Sequence, residues 1–93
     1  DVSALSALFA GLANCTTLGT LSLRACGINS QGASVVSNAL KNDKQLKTVD
    51  LAFNNLELVG SECIAQMLES NESLTSLNVR SNRIVFIDIP IKT

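Results

Sequence analysis

The chain has 93 residues, enough for one small domain, and a hydrophobic fraction of 46% that suits a globular fold. Its 7 basic and 8 acidic residues nearly cancel to a net charge of −1, which gives no electrostatic reason to expect nucleic acid or an acidic membrane surface as partner. Histidine, tryptophan and tyrosine are absent, which removes the commonest general base and the commonest metal ligand.

The first predicted element is a helix, with Ala4, Leu8 and Leu12 on one stripe and Leu5 and Phe9 beside them. Residues 2–23 carry no charge, yet Ser, Thr, Asn and Gly are scattered through them and two periodicities are present. That pattern fits a helix followed by a buried strand better than a membrane span. The stretch LGTLSLRACGI (18–28) alternates apolar and polar residues, the period of a strand with one buried face. INSQGASVVSNAL (28–40) returns to helical spacing through Gly32, Val36 and Leu40, with Ser30 placed to cap the helix. LKTVDLAFNNL (46–56) is again a strand. LELVGSECIAQML (56–68) is again a helix, with Gly60, Ile64 and Leu68 on its stripe and Ser61 or the residues before Gly60 as its cap. LTSLNVRSNRI (74–84) is a third strand. Asn14 and Asn42 follow helix ends, where asparagine accepts the left-handed conformation. Gly32 and Gly60 are expected to let each strand-to-helix turn approach its neighbour closely. The tail VFIDIPIKT (85–93) breaks the pattern. Asp88 takes the glycine slot, Pro90 falls where a first helical turn would lie, and Ile87, Ile89 and Ile91 alternate as in an extended segment. The tail reads as a capping strand, as an edge that self-associates through residues 85–91, or as irregular sequence.

The three strand segments start at 18, 46 and 74, a constant spacing of 28 residues with no gap. Leu18, Leu46 and Leu74 share the first slot. Leu21, Val49 and Leu77 share the fourth, and Leu23, Leu51 and Val79 the sixth. Cys26, Asn54 and Asn82 share the ninth, and Ile28, Leu56 and Ile84 the eleventh. Neither the strand nor the helix can bury its stripe alone, so stacked repeats must close the core. Strands alternating with helices at equal spacing give a parallel sheet with the helices on one side. This register resembles the leucine-rich repeat family, LxxLxLxxN/CxL, in its ribonuclease-inhibitor-like subclass. The resemblance implies an α/β solenoid: a short right-handed horseshoe arc, with the sheet on the concave side and the helices on the convex side. It covers residues 4–84 and divides the chain into a partial repeat (1–17), repeats at 18–45 and 46–73, and a last one at 74–93 with its irregular tail. The chain opens on a helix with no strand before it, which reads as a fragment of a longer array or as a helix serving as cap.

The resemblance also implies that the ninth-slot residues Cys26, Asn54 and Asn82 face inward and bond turn backbone, so that they are structural, like Gly32 and Gly60. The uncovered sheet face is implied to be the binding surface. Its columns are Thr20, Thr48 and Ser76; Ser22, Asp50 and Asn78; and Arg24, Ala52 and Arg80. Asp50 lies diagonally between two arginines, either as ordinary surface pairing or as part of a contact with a partner. Phe53, in the slot of Ala25 and Ser81, is either a binding anchor or packs on the strand-to-helix turn. Cys15, Cys26 and Cys63 are odd in number and form no CxxC, which argues against a disulfide framework or zinc site and for a reducing, cytoplasmic setting in which all three are inert. No basic region precedes an apolar run, so no signal peptide is read. No catalytic set, cofactor or metal is expected. The reading is a non-catalytic protein–protein interaction module. The alternatives carried by the same subclass are a GTPase-regulatory domain and a structural spacer in a longer array. Actin-capping tropomodulin-like proteins and innate immune sensors share that subclass too.

Overall fold

The computed structural model describes residues 2–15 and 17–82. Its elements run α1 (Val2–Leu12), β1 (Thr20–Ser22), α2 (Ser30–Leu40), β2 (Thr48–Asp50), α3 (Glu57–Ser70) and β3 (Ser76–Asn78). The three strands form one parallel sheet in chain order. Its register pairs Thr20 with Thr48 and Thr48 with Ser76, so every partner lies one 28-residue repeat away. Parallel strands need a crossover, and α2 and α3 supply it. Each helix packs on its neighbour in sequence, α1 on α2 and α2 on α3, so among the described elements contacts run between adjacent repeats.

The core lies between the sheet and the helices. Val49 enters it from β2, Leu23 and Leu51 from the residues just after β1 and β2, Val36, Leu40, Ile64 and Met67 from the helices, and Ile28, Leu46 and Leu56 from the turns. Helix α1 has no buried residue. Leu5 and Phe9 pack on the core, whereas Ala4 and Leu8 of the expected stripe are exposed. The cause is position: among the described residues α1 packs against α2 alone, so its inward face is only half covered there.

Several local expectations are corrected. Asn29, not Ser30, caps α2: its side-chain oxygen accepts the Gly32 N–H at 3.0 Å. Helix α3 is entered through Leu56 without a side-chain cap, and the Ser61 hydroxyl instead donates to the Glu57 carbonyl within the helix. The left-handed residues are not Asn14 and Asn42. They are Ala25, Phe53 and Ser81, at φ 54°, 58° and 58°, together with Glu57 and Gly27. The first three share one repeat slot, so the turn after each strand demands that conformation. The expected cap strand at 85–93 and self-association through 85–91 lie outside the described residues, as do Ile84 and its core slot. Among the described residues, no helix is long and apolar enough to cross a membrane.

The two repeat glycines are buried inside the first turns of the helices rather than in the preceding turns. A methyl group on Gly60 would sit 3.2 Å from the Ala33 Cβ and 3.4 Å from the Ser30 Cα, so this glycine sets how closely α3 approaches α2. Gly11 in α1 has nothing within 4 Å of the same position. Gly60→Leu is therefore expected to lower stability by at least about 2 kcal/mol through overpacking. Gly11→Ala is expected to raise it by roughly 0.5–1 kcal/mol through helix propensity. Urea unfolding of the two variants checks both signs.

Candidate functional site

The sheet face is regular because its edges are held beyond the short strands. Leu23 and Ala25 donate backbone bonds to Asp50 and Ala52, and Leu51 and Phe53 donate to Asn78 and Arg80, all at 2.8–3.0 Å. The register therefore continues to the third outward column. Thr20, Ser22, Ser76, Arg24 and Arg80 are exposed, and Thr48, Asp50 and Asn78 are half-buried. Ala52, although it lies in the outward column, is fully buried, flanked on the neighbouring strands by Arg24 and Arg80.

Behind that face, two sets of polar side chains hold the turns. Asn54 is buried, and its Oδ1 accepts the N–H groups of Cys26 and Ile28, both at 2.9 Å. Its Nδ2 donates to the carbonyls of Leu23 and Leu51, also at 2.9 Å. Asn82 repeats the arrangement one turn later: Oδ1 accepts the Leu56 N–H at 3.3 Å, and Nδ2 donates to Leu51 and Val79 at 2.8 and 3.0 Å. Each amide thus bonds its own turn and the turn before it. Cys26 differs. Expected to face inward, it is exposed, and its thiol makes only a long contact of 3.5 Å to the Arg24 carbonyl. The reason is that β1 is an edge strand, with no earlier turn among the described residues for the ninth slot to bond.

The second set was not read from the sequence. In the helix-to-strand turns, Asp43 Oδ1 accepts the N–H groups of Gln45 and Leu46, both at 2.8 Å. Asn71 Oδ1 accepts those of Ser73 and Leu74 at 2.9 and 2.8 Å, while its Nδ2 reaches back to the Leu40 carbonyl at 2.7 Å. Cys15 stands in the same slot, and the signal was available: positions 15, 43 and 71 are 28 apart and hold Cys, Asp and Asn. Backbone N–H bonds from Thr17 and Leu18, with the Thr17 hydroxyl, lower the Cys15 thiol pKa. Its sulfur accepts what the carboxylate and amide oxygens accept in the later turns.

At the end of the sheet face the conspicuous cluster is Arg24, Asp50, Phe53 and Arg80. Arg24 Nη1 lies 3.4 Å from Asp50 Oδ2, between side chains that are 47% and 26% exposed, so the pair contributes under about 1 kcal/mol. Asp50 Oδ1 accepts the Ala52 N–H at 2.9 Å, and Asn78 Oδ1 accepts the Arg80 N–H at 3.1 Å. The Phe53 ring is 44% exposed. The guanidinium carbons of Arg24 and Arg80 lie 4.8 and 5.4 Å from its centroid. They come from the strands on either side, so the ring stands between two cations. Among the described residues, no group of His, Cys, Asp and Glu could hold a metal ion.

The comparisons with known proteins agree with this architecture. A family model described as "Leucine Rich repeat" matches residues 14–37, 44–65 and 70–84, more than half of the chain. The chain is similar to leucine-rich repeat-containing protein 45 of Gallus gallus, 35% identical over 59 residues, covering 63% of this chain and 9% of that protein. It is similar to the centrosomal protein of 78 kDa of Mus musculus, 32% identical over 72 residues, covering 77% and 8%. It is similar to leiomodin-2 of Rattus norvegicus, 40% identical over 57 residues, covering 61% and 10%. The chain thus spans a tenth or less of the length of these relatives. A solved structure of the leiomodin-1 actin-binding site 2 superposes with a TM-score of 0.80 at 22% identity, over 89% of this chain and 48% of that one. At that identity the likeness speaks for the fold.

Three outcomes follow from the turn geometry. Asn54→Ala leaves several buried backbone groups unpaired at about 1–3 kcal/mol each, so a loss of at least roughly 3 kcal/mol is expected in urea unfolding. Cys26→Ala is expected to change stability by no more than about 0.5 kcal/mol. For Cys15, a folded pKa below the unfolded one means that its contribution to stability is complete above the unfolded value and is lost as pH falls through the folded value. Iodoacetamide labelling of Cys15, followed by mass spectrometry across pH, is expected to reach half-rate at a lower pH in the folded chain than in urea.

Proposed function

The chain belongs to the leucine-rich repeat family, and from that premise we propose that it is a non-catalytic protein-binding module whose partner seats on the uncovered sheet face, over Phe53, Arg24, Asp50 and Arg80. The contact extends along Thr20, Ser22, Thr48, Ser76 and Asn78.

The observation that carries this reading is the cost of Phe53. Its slot is left-handed in all three turns, a conformation that disfavours bulky side chains and is cheapest for glycine. Alanine and serine fill it in the other two turns. Backbone geometry therefore gives no reason for phenylalanine here, and burial gives little, since almost half of the side chain is exposed. The two stacked arginines return part of the conformational cost, at about 0.5–1 kcal/mol for each exposed cation–π contact. A large aromatic ring held rigid among small polar neighbours is the kind of residue that anchors protein interfaces. A purely structural spacer would supply no reason to keep it.

Actin is the first partner to try, because the solved relative is an actin-binding segment of leiomodin-1. The test of the surface does not depend on that choice. A photo-reactive phenylalanine analogue in place of Phe53 is expected to cross-link a discrete protein in cell extract, or added actin. The same analogue in place of Glu62, exposed on α3, is expected not to. Cross-links from position 62 alone would overturn the sheet-face reading. Phe53→Gly separates fold from binding: stability is expected to stay within about 1 kcal/mol, because relief of the left-handed strain offsets the lost stacking, while partner binding falls at least about tenfold.

A further inference from the structure

The charges around Phe53 are not equivalent. Arg24 is paired with Asp50. Arg80 is exposed and makes no ion pair among the described residues. Its backbone is nevertheless pinned: its N–H is held by Asn78, and its carbonyl accepts from the Phe53 N–H at 3.0 Å and from Asn82 Nδ2 at 3.2 Å. Its guanidinium is held against the Phe53 ring. An arginine stacked on an aromatic face keeps its N–H edges free, and those edges match a carboxylate bidentately. Because stacking has already reduced its rotamer freedom, less entropy is lost on binding. The outward residues toward the start of the strands, Thr20, Ser22, Thr48 and Ser76, are small and uncharged, which leaves room for a chain to lie across the sheet.

Resting on the reading above, we infer that this cluster takes an acidic peptide segment of a protein partner, with one carboxylate on the Arg80 guanidinium and an adjacent apolar side chain against the exposed part of Phe53. Charge complementarity selects this occupant. The cluster carries two cations and one anion, and the anion already faces Arg24. Arg24 already faces Asp50, so a phosphate would not find the pair of open arginines that an arginine cluster offers it. A nucleic acid would need many phosphate contacts, and a chain of net charge −1 does not favour them.

The test pans a random 12-residue peptide library on the full chain and measures the affinity of the enriched peptides, synthesised individually. Expected peptides carry Asp or Glu beside an apolar residue. They lose about five- to tenfold in affinity with Arg80→Gln and bind more weakly as salt rises. Asp50→Asn gives the opposite sign. It keeps the oxygen that accepts the Ala52 N–H, removes a repelling charge and frees Arg24, so binding tightens about two- to threefold. A variant that merely unfolded would not tighten binding. Enriched peptides that are neutral or basic yet still lost with Phe53→Ala would overturn the acidic partner and leave the sheet-face reading standing. Peptides indifferent to Arg24→Ala, Phe53→Ala and Arg80→Gln, or no enrichment at all, would overturn both.

Discussion

Four short hydrogen bonds from one buried side chain, the amide of Asn54, make the rest of the molecule possible. A parallel sheet built from three-residue strands must turn out of each strand within a few residues. That turn leaves backbone N–H and carbonyl groups pointing into an apolar interior, where each unpaired group is costly. An amide offers both a donor and an acceptor on one short stem, so it can bond its own turn and the previous one together. Asn82 does the same for the next pair. The sheet register, the depth of the core and the spacing of the outward columns all follow from turns locked in this way.

The large features were legible because they repeat. Apolar residues at fixed offsets in three registers of 28 residues give the strands, the helices and their parallel order, and no single helix or strand had to be read on its own. What was not legible depends on position within the array rather than on residue type. Cys26 and Asn54 share a slot, yet one is exposed and the other buried, because only Asn54 has a described turn before it to bond. Leu8 shares the slot of Val36 but lies on a helix that, among the described residues, is flanked on one side only. Asn29 competes with Ser30 for the end of α2, and sequence alone shows two good caps in a row. The Cys15, Asp43 and Asn71 slot has the right spacing, but three different residue types disguise a shared acceptor role.

The candidate site shows the same division. The outward columns could be counted from the strand period. The approach of two arginines to Phe53 could not, because it depends on a positive φ that carries the ring toward the sheet face instead of toward the helices. Ala52 is the complement of that ring. Its methyl group lies in an outward column yet is fully buried, and Phe53 follows it directly in the chain. A cluster of this kind accepts local backbone strain for an exposed aromatic surface feature.

The backward reach of the amides gives the array a direction. Every turn held by asparagine is tied to the one before it, but Cys26 supplies no amide at the first strand, and α1 leans on α2 without a buried residue of its own. Among the described residues the ties therefore overlap like roof tiles: β2 is held from both sides, by Asn54 toward the turn before it and by Asn82 from the turn after it.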